Sequence, residues 1–306
     1  MRVATAAVVW AAATITSAAP TRRQASSDID AVILQYALTL EHLENAFYKR
    51  ALSTWDVKAF TDAGFSEKFY DDLKYVAHDE EGHVVYLAAG LAAAGAAPVA
   101  ACEYTFPMTD PKSFVALASV IEGVGVSAYL GAAPLVTSKA YLTAAGAILV
   151  TEALHQSQQR AAMGETPAAN VFGTPLGFNA VYSIASAFIT ACPASNMALP
   201  VMAYPGLAVT SGMPTAQGAL VNLVPQTMPA GRFWVTFVSG LNIAAVAPAS
   251  TQAGMVMAEV PAMVEGQSYA FLTRDNSGNL TDSNIIAGPA ILEVTPLSPV
   301  FNLGVS

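Results

Sequence analysis

The sequence has few charged side chains, few histidines and very few cysteines. Charged residues make up 11% of the 306 residues, with 13 Lys and Arg, 22 Asp and Glu, four His and two Cys. An ordinary soluble domain has about 25% charged residues. The net charge of −9 argues against nucleic-acid binding, which depends on a basic surface. The sequence also has no Gly-x-Ser-x-Gly nucleophile motif and no Gly-rich phosphate loop.

The N-terminus has the features of a cleaved secretory signal. Arg2 precedes the uncharged run Val3–Ile15, and Thr16–Ala18 supplies the small residues of a cleavage site. We therefore expect residues 1–18 to be a signal peptide and residues 19–27 to be a linker or propeptide. The mature protein is then expected to be secreted, either extracellular or in the cell wall.

Two further features agree with secretion. Cys102 and Cys192 are the only cysteines, and a single pair in an oxidising compartment predicts a disulfide. Asn279 begins the only N-glycosylation sequon. Residues 84–102 and 114–136 are apolar enough to resemble membrane spans, but their Gly, Pro and Ala content favours helices buried in a bundle. We expect no span after the signal is removed.

The composition changes near residue 193. There are 6 prolines in residues 28–192 and 11 in residues 193–306. The first region predicts four long helices and a fifth, shorter one, with approximate bounds of 27–52, 67–95, 111–133, 138–163 and 174–190. The connection over about 96–109 is long enough to run the length of a bundle. An antiparallel four-helix bundle with a crossover and an extra helix follows.

The second region, residues 193–306, predicts a β-sandwich-like domain. Short β-type runs bounded by Gly and Pro occur at 233–238, 254–260, 268–273 and 290–294. The region contains no His or Cys, so we assign it a structural or adhesive role. The fold class is therefore a two-domain α+β protein.

Glutamate and histidine recur at a fixed spacing in the predicted helices. The second and fourth helices each carry a Glu-x-x-His pair, whose members share one helix face, and the first and third each carry a glutamate near mid-helix. These residues are Glu41 (with Glu44 as its alternative), Glu80, His83, Glu122, Glu152 and His155. This is the ligand set of dinuclear metal sites in helical bundles.

The sequence around two of these carboxylates argues against the alternative that they simply lie on solvent-exposed helix faces. A lone Glu-x-x-His on an exposed helix face is common and usually has no function. Glu122, however, is the only charge in Phe114–Val136, and Glu152 is the only one in Tyr141–Leu154. An unpaired buried carboxylate costs several kcal/mol, so a bound cation is the natural compensation. We favour Glu41 over Glu44 because a tyrosine follows both Glu41 and Glu122 by seven residues.

Residues 28–192 resemble the ferritin-like superfamily. More narrowly, they are similar to secreted fungal stress-response ferritin-like proteins, which are related to plant desiccation-related proteins. Leu40–Glu44, Cys102–Pro107 and Cys192–Asn196 carry the narrower resemblance. The resemblance implies two bridging glutamates, two terminal glutamates, one histidine for each metal and two tyrosine hydrogen-bond donors. The bridging glutamates would be Glu80 and Glu152, and the terminal ones Glu41 and Glu122. The histidines would be His83 and His155, and the tyrosine donors Tyr48 and Tyr129.

The resemblance implies two iron ions, with manganese as the alternative, and O₂ or peroxide as the reactant. The favoured function is a secreted dinuclear oxidoreductase linked to stress response. A non-enzymatic stress or cell-surface protein with a structural or vestigial metal site is one alternative, and manganese-catalase-like peroxide disproportionation is another. The β-rich domain is expected to meet a cell-wall or surface partner. A homodimer is compatible with the added domain, whereas a closed storage cage is not.

Overall fold

A computed structural model of the chain describes residues 27–299 and residue 304. The expected signal peptide and nearly all of the expected linker or propeptide lie outside the described residues. The described region has a helical part followed by a β-rich part, which confirms the α+β fold class.

Four long helices form a bundle, and two short helices accompany it. The helices are α1 (Ser27–Thr54), α2 (Val57–Asp62), α3 (Glu67–Ala93), α4 (Pro111–Ala132), α5 (Lys139–Ala162) and α6 (Phe178–Ala185). Side chains at the N-caps explain three of the starts: Ser66, Asp110 and Ser138 each accept a hydrogen bond from the backbone of the following helix. Asp110 also forms a capping box with Ser113, ahead of a proline in the first turn of α4.

The connection from α3 to α4 runs along α1, as the crossover prediction requires. Gln35 of α1 bonds to Ala97 and Val99, and the ring of Phe47, three turns later, packs on Phe106. Helices α3 and α4 consequently point in the same direction, and the four long helices form the bundle with their central turns at one level.

Helix α4 is buried on both sides. The segment Pro111–Leu135 is long and apolar enough to cross a membrane, and 61% of its most apolar window is buried inside the protein. One face of α4 contacts the bundle and another contacts the β-rich region, where Ser127 and Tyr269 share a hydrogen bond of 2.8 Å. Its apolar composition therefore matches burial between two layers of this protein.

The fifth helix is shorter than predicted, and one short helix was not predicted. We expected a helix over about 174–190, but α6 covers only Phe178–Ala185. The backbone on either side is engaged elsewhere: Leu176 donates to Ser127, and Phe188 accepts from Thr105. The unexpected helix α2 begins after Asp56, whose side chain caps it.

The β-rich part consists of two packed, mainly antiparallel sheets, together with a two-stranded ribbon beside the bundle. The strands are β1 (Glu103–Tyr104), β2 (Ile189–Ala191), β3 (Leu207–Val209), β4 (Thr215–Ala216), β5 (Leu220–Pro225), β6 (Trp234–Ser239), β7 (Asn242–Val246), β8 (Ser250–Gln252), β9 (Met255–Glu259), β10 (Gly266–Thr273) and β11 (Ile285–Thr295). The five-stranded sheet has the order β4-β11-β10-β6-β7, with β4 parallel to β11, and the four-stranded sheet has the order β3-β5-β9-β8. All four predicted strands are present. The strand predicted to begin at Ala290 instead begins at Ile285, because a register shift opposite Ala270–Leu272 accommodates Gly288 and Pro289.

The two parts are joined through β10 and α5. Tyr269 and Phe271 on β10 belong to the core of the bundle, whereas Ala270 and Leu272 face the core between the two sheets. Arg160 of α5 makes two hydrogen bonds of 2.6 and 2.7 Å to Glu293 of β11. The sandwich therefore buries one side of the bundle.

The predicted disulfide is present. Cys102 and Cys192 are bonded across a sequence separation of 90 residues, next to the ribbon of β1 and β2. The bond ties the crossover to the segment that follows α6.

Candidate metal centre

The predicted metal ligands lie together at the middle of the bundle. Each of the four long helices contributes: α1 brings Glu41, α3 brings Glu80 and His83, α4 brings Glu122, and α5 brings Glu152 and His155. All except His83 are buried, and the His83 side chain is only 13% exposed. The crossover explains this convergence, because it places the centres of all four helices at one depth.

These side chains form two overlapping sets. In each set one ligand atom per residue lies within 4.8 Å of every other. The first set contains Glu41, Glu80, His83 and Glu152, and the second contains Glu80, Glu122, Glu152 and His155. Glu80 and Glu152 belong to both sets, and the rings of His83 and His155 are 6.5 Å apart. Each set could hold a metal ion.

The hydrogen-bonding state of the carboxylates fits such an ion. Both oxygens of Glu80 and both of Glu152 are buried without a hydrogen-bond partner, as are Glu122 Oε2 and His155 Nδ1. His155 Nδ1 lies 2.9 Å from Glu80 Oε1 and 3.3 Å from Glu122 Oε2, but neither contact has hydrogen-bond geometry. Buried polar atoms are normally satisfied, so a cluster of unpartnered ligand atoms needs another partner. A cation would supply it for all of them at once.

Two tyrosines orient the outer glutamates. The Tyr129 hydroxyl donates to Glu41 Oε1 at 2.5 Å, and the Tyr48 hydroxyl donates to Glu122 Oε1. Gln159 donates to the Tyr48 oxygen at 2.9 Å. Burial, and then the neighbouring glutamate charges, raise the pKa of both tyrosines well above the ordinary value. Both hydroxyls therefore stay protonated and keep donating.

Asp79 contacts the cluster and was not singled out by the sequence analysis. Its carboxylate lies 3.3 Å from Nε2 of His155, on the side of the ring away from the cluster, and is 42% exposed. A carboxylate behind a ligand histidine fixes the ring and raises its basicity. Asp79 directly precedes Glu80 in a run of acidic residues, so sequence alone could not separate it from a solvated helix face. Gln159 was missed for a similar reason, since amides carry no distinctive spacing.

The electrostatics of the cluster are those of crowded carboxylates. Burial, and then repulsion from neighbouring glutamates, raise the pKa values of Glu122 and Glu152. Burial alone would lower the pKa of His155, but contacts with Glu122 and Glu80 outweigh it and raise the pKa to about 11. The contacts of His83 with Glu152, Glu41 and Glu80 likewise outweigh burial and raise its pKa. The negative charge therefore favours binding of positive charge.

Lysine and arginine do not provide that positive charge in the region of the chain that the structure describes. The lysine ion pairs are on surface carboxylates, such as Lys49 with Glu81, and Arg160 pairs with Glu293 at the domain boundary. The basic side chains in contact with the cluster are the two histidines.

Glu44 is close to the cluster without belonging to either set. It is buried, and burial followed by the charges of Glu152 and Glu41 raises its pKa well above the ordinary value. Gly125 makes room for it: a Cβ there would lie 2.5 Å from Glu152 Oε2 and 2.9 Å from Glu44 Oε1. The geometry favours Glu41 over Glu44, in line with the sequence-based choice.

The remaining predicted site residue lies apart from this centre. Asn279 is exposed, in the turn between β10 and β11, and its glycosylation remains a prediction.

Comparison with known proteins agrees with this architecture. Residues 29–165 match the family model of the ferritin-like domain. Protein rds1 of Schizosaccharomyces pombe is 24% identical over 252 residues, which cover 82% of this chain and 61% of that relative. This chain thus spans less than two thirds of the relative's length. The crystal structure of a conserved hypothetical protein from Mycobacterium tuberculosis matches with a TM-score of 0.39 and 17% identity, over 46% of this chain and 94% of its own. Residues 29–165 of this chain are therefore a ferritin-like domain.

Proposed function

We propose that the bundle binds two metal ions, iron or alternatively manganese, and that the protein is an oxidoreductase using O₂ or peroxide. The observation that carries the proposal is the pair of overlapping ligand sets, with five buried glutamate oxygens that lack hydrogen-bond partners. Mixed carboxylate and imidazole ligands suit iron and manganese. Glu80 and Glu152 would be shared by both ions, and each histidine would bind one.

The residues around the cluster would support this chemistry. Two Fe(II) ions in such a site would supply one electron each for reducing O₂ or peroxide. Tyr129 and Tyr48 would hold Glu41 and Glu122 in position through their hydrogen bonds. The His155–Asp79 contact connects the buried cluster to a carboxylate at the surface, so Asp79 is suited to pass protons between solvent and the histidine.

We also propose that the protein is secreted and that its function is linked to stress response. The Cys102–Cys192 disulfide supports an oxidising compartment. We further propose that the β-sandwich meets a cell-wall or surface partner and that the protein forms a homodimer rather than a storage cage. The sandwich covers a side of the bundle that a storage cage would need for packing between subunits.

Metal analysis combined with oxygen uptake tests the proposal. Protein reconstituted anaerobically with Fe(II) should retain about two ions per chain and consume O₂ on mixing with air. Glu80→Ala/His83→Ala should retain fewer than about 0.2 ions and consume no more O₂ than the buffer. Glu81→Ala is the matched control, because this neighbouring carboxylate is 57% exposed and pairs with Lys49.

The outcomes separate the alternatives. Two ions together with O₂ uptake that the double variant loses would support the oxidase. Two ions with fast peroxide decay by the manganese form, but no O₂ uptake by the iron form, would replace it with catalase-like disproportionation. Two ions without either reaction would leave a structural site, and no bound metal would overturn the proposal.

A further inference from the structure

A cavity lies inside the bundle, next to the candidate metal centre. It has a volume of about 190 Å³ and is lined by the first half of α1, the last turns of α3 and α4, and the first turns of α5. Tyr129 lines it, and the hydroxyl of the same residue bonds to Glu41. Leu40, which precedes Glu41, also lines it. The cavity is therefore one side chain away from the carboxylate cluster.

Small residues on two helices leave this space. Ala89 and Gly90 of α3 and Ala144 and Ala145 of α5 all line the cavity. A Cβ on Gly90 would meet no atom within 4 Å, so the backbone itself borders open space. Tyr86 and Ala89, which also line it, are exposed, so the space reaches the surface between α3 and α5.

Two of the polar groups on the wall are already engaged. Asp30 accepts hydrogen bonds from the backbone and hydroxyl of Thr137, both at 2.7 Å, and from the backbone of Ser138 at 2.9 Å. The Tyr36 hydroxyl donates to the carbonyl of Phe178 at 2.9 Å. The rest of the wall is mainly aliphatic side chains and alanine, and its other side-chain polar groups are the hydroxyls of Tyr86, Tyr129 and Tyr141. A polar molecule entering here would lose more hydration than these few hydroxyls can replace, whereas an apolar one would gain.

We propose that this cavity binds an uncharged apolar organic molecule with a single aromatic ring or a short alkyl chain. A dry cavity of about 150 Å³ accommodates benzene, so the volume suits a ligand of that size. Tyr129 lies between the bound molecule and Glu41. Binding of this ligand does not depend on the proposed function. Its role as the substrate of the metal centre rests on that function.

The test uses toluene as an apolar probe and phenol as a polar match of similar size, with binding measured by isothermal titration calorimetry. The full chain is measured both as purified and after chelation of metal. The proposal predicts saturable toluene binding with one site per chain in both forms, and phenol binding at least tenfold weaker.

Gly90→Leu should weaken toluene binding at least tenfold by filling the cavity. Gly146→Leu is its control: a Cβ there also meets no atom within 4 Å, yet the residue does not line the cavity, so the helix-propensity change is matched. If Gly90→Leu does not fold by circular dichroism, Ala144→Phe replaces it. Absence of saturable toluene binding, or equal weakening by the cavity and control variants, would overturn the proposal. Toluene binding to protein that fails to load metal would leave the cavity proposal standing and the proposed function refuted.

Discussion

The most informative perturbation is removal of a ligand that both metal sites would share. Glu80 belongs to both sets and is fully buried, so Glu80→Gln should weaken both sites while preserving side-chain size. An ion present at 1,000 times its dissociation constant stabilises a folded protein by about 4 kcal/mol. Two ions would therefore stabilise the wild type by about 8 kcal/mol. At about 2 °C per kcal/mol for a chain of this size, Tm should rise by about 16 °C with Mn(II).

The variant should respond much less to the metal. If losing one ligand weakens each site about 100-fold, the same Mn(II) concentration is only about ten times the new dissociation constant. The stabilisation then falls to about 1.4 kcal/mol per ion, or about 6 °C in total. The measurement is the difference in Tm with and without Mn(II), which cancels effects of the substitution on the metal-free fold. Glu81→Gln provides the matched control and should keep the wild-type shift.

Two results would refute this reasoning. An equal Mn(II) shift in the wild type and Glu80→Gln would mean that the ions bind elsewhere. A wild-type shift below about 3 °C would mean that the buried carboxylates do not bind Mn(II) at these concentrations.

Three other perturbations address the supporting structure. Gly125→Ala should weaken Mn(II) binding at least tenfold by displacing Glu152, and equilibrium dialysis should show no such loss for Gly146→Ala, where a Cβ meets no atom within 4 Å. Asp30→Asn should lower the free energy of unfolding by about 2 kcal/mol at pH 7, because a charged acceptor of three hydrogen bonds is lost. Burial acts to raise the pKa of Asp30, but its hydrogen bonds lower the pKa overall. The stabilisation by Asp30 is therefore present above about pH 3.9 and is lost as the pH falls below that value. Urea unfolding measured at a series of decreasing pH values should show this loss. Replacing both cysteines of the disulfide by serine should cost about 4–5 kcal/mol, because the bond closes a loop with a separation of 90 residues, and an unchanged urea midpoint would contradict that value.

The candidate metal ligands were predictable because their spacing is a local property of a helix. Glu152 and His155 are three residues apart, so any helix places them on one face, and the apolar stretch before Glu152 indicates that this face is buried. The roles of Asp79 and Gln159 were not predictable in this way. Asp79 reaches His155 only because α3 packs near α5, which is a tertiary relation between residues 76 positions apart.

The fold shows the same division between local and tertiary information. The long helices have caps and lengths that the sequence displays, and the composition change near residue 193 marks the onset of strands. The fifth helix was overestimated because Leu176 bonds to Ser127 and Phe188 bonds to Thr105, and these partners are distant in sequence. Burial of both faces of β10 likewise depends on the bundle packing against the sandwich.

Anomalous X-ray diffraction from crystals grown with Mn(II), recorded above and below the manganese edge, tests the central claim most directly. The account predicts two manganese peaks per chain in the middle of the bundle. One should contact Glu41, Glu80, Glu152 and His83, and the other should contact Glu80, Glu122, Glu152 and His155. A fully loaded crystal with manganese only at surface carboxylates, or with a single peak at Glu44, would contradict it.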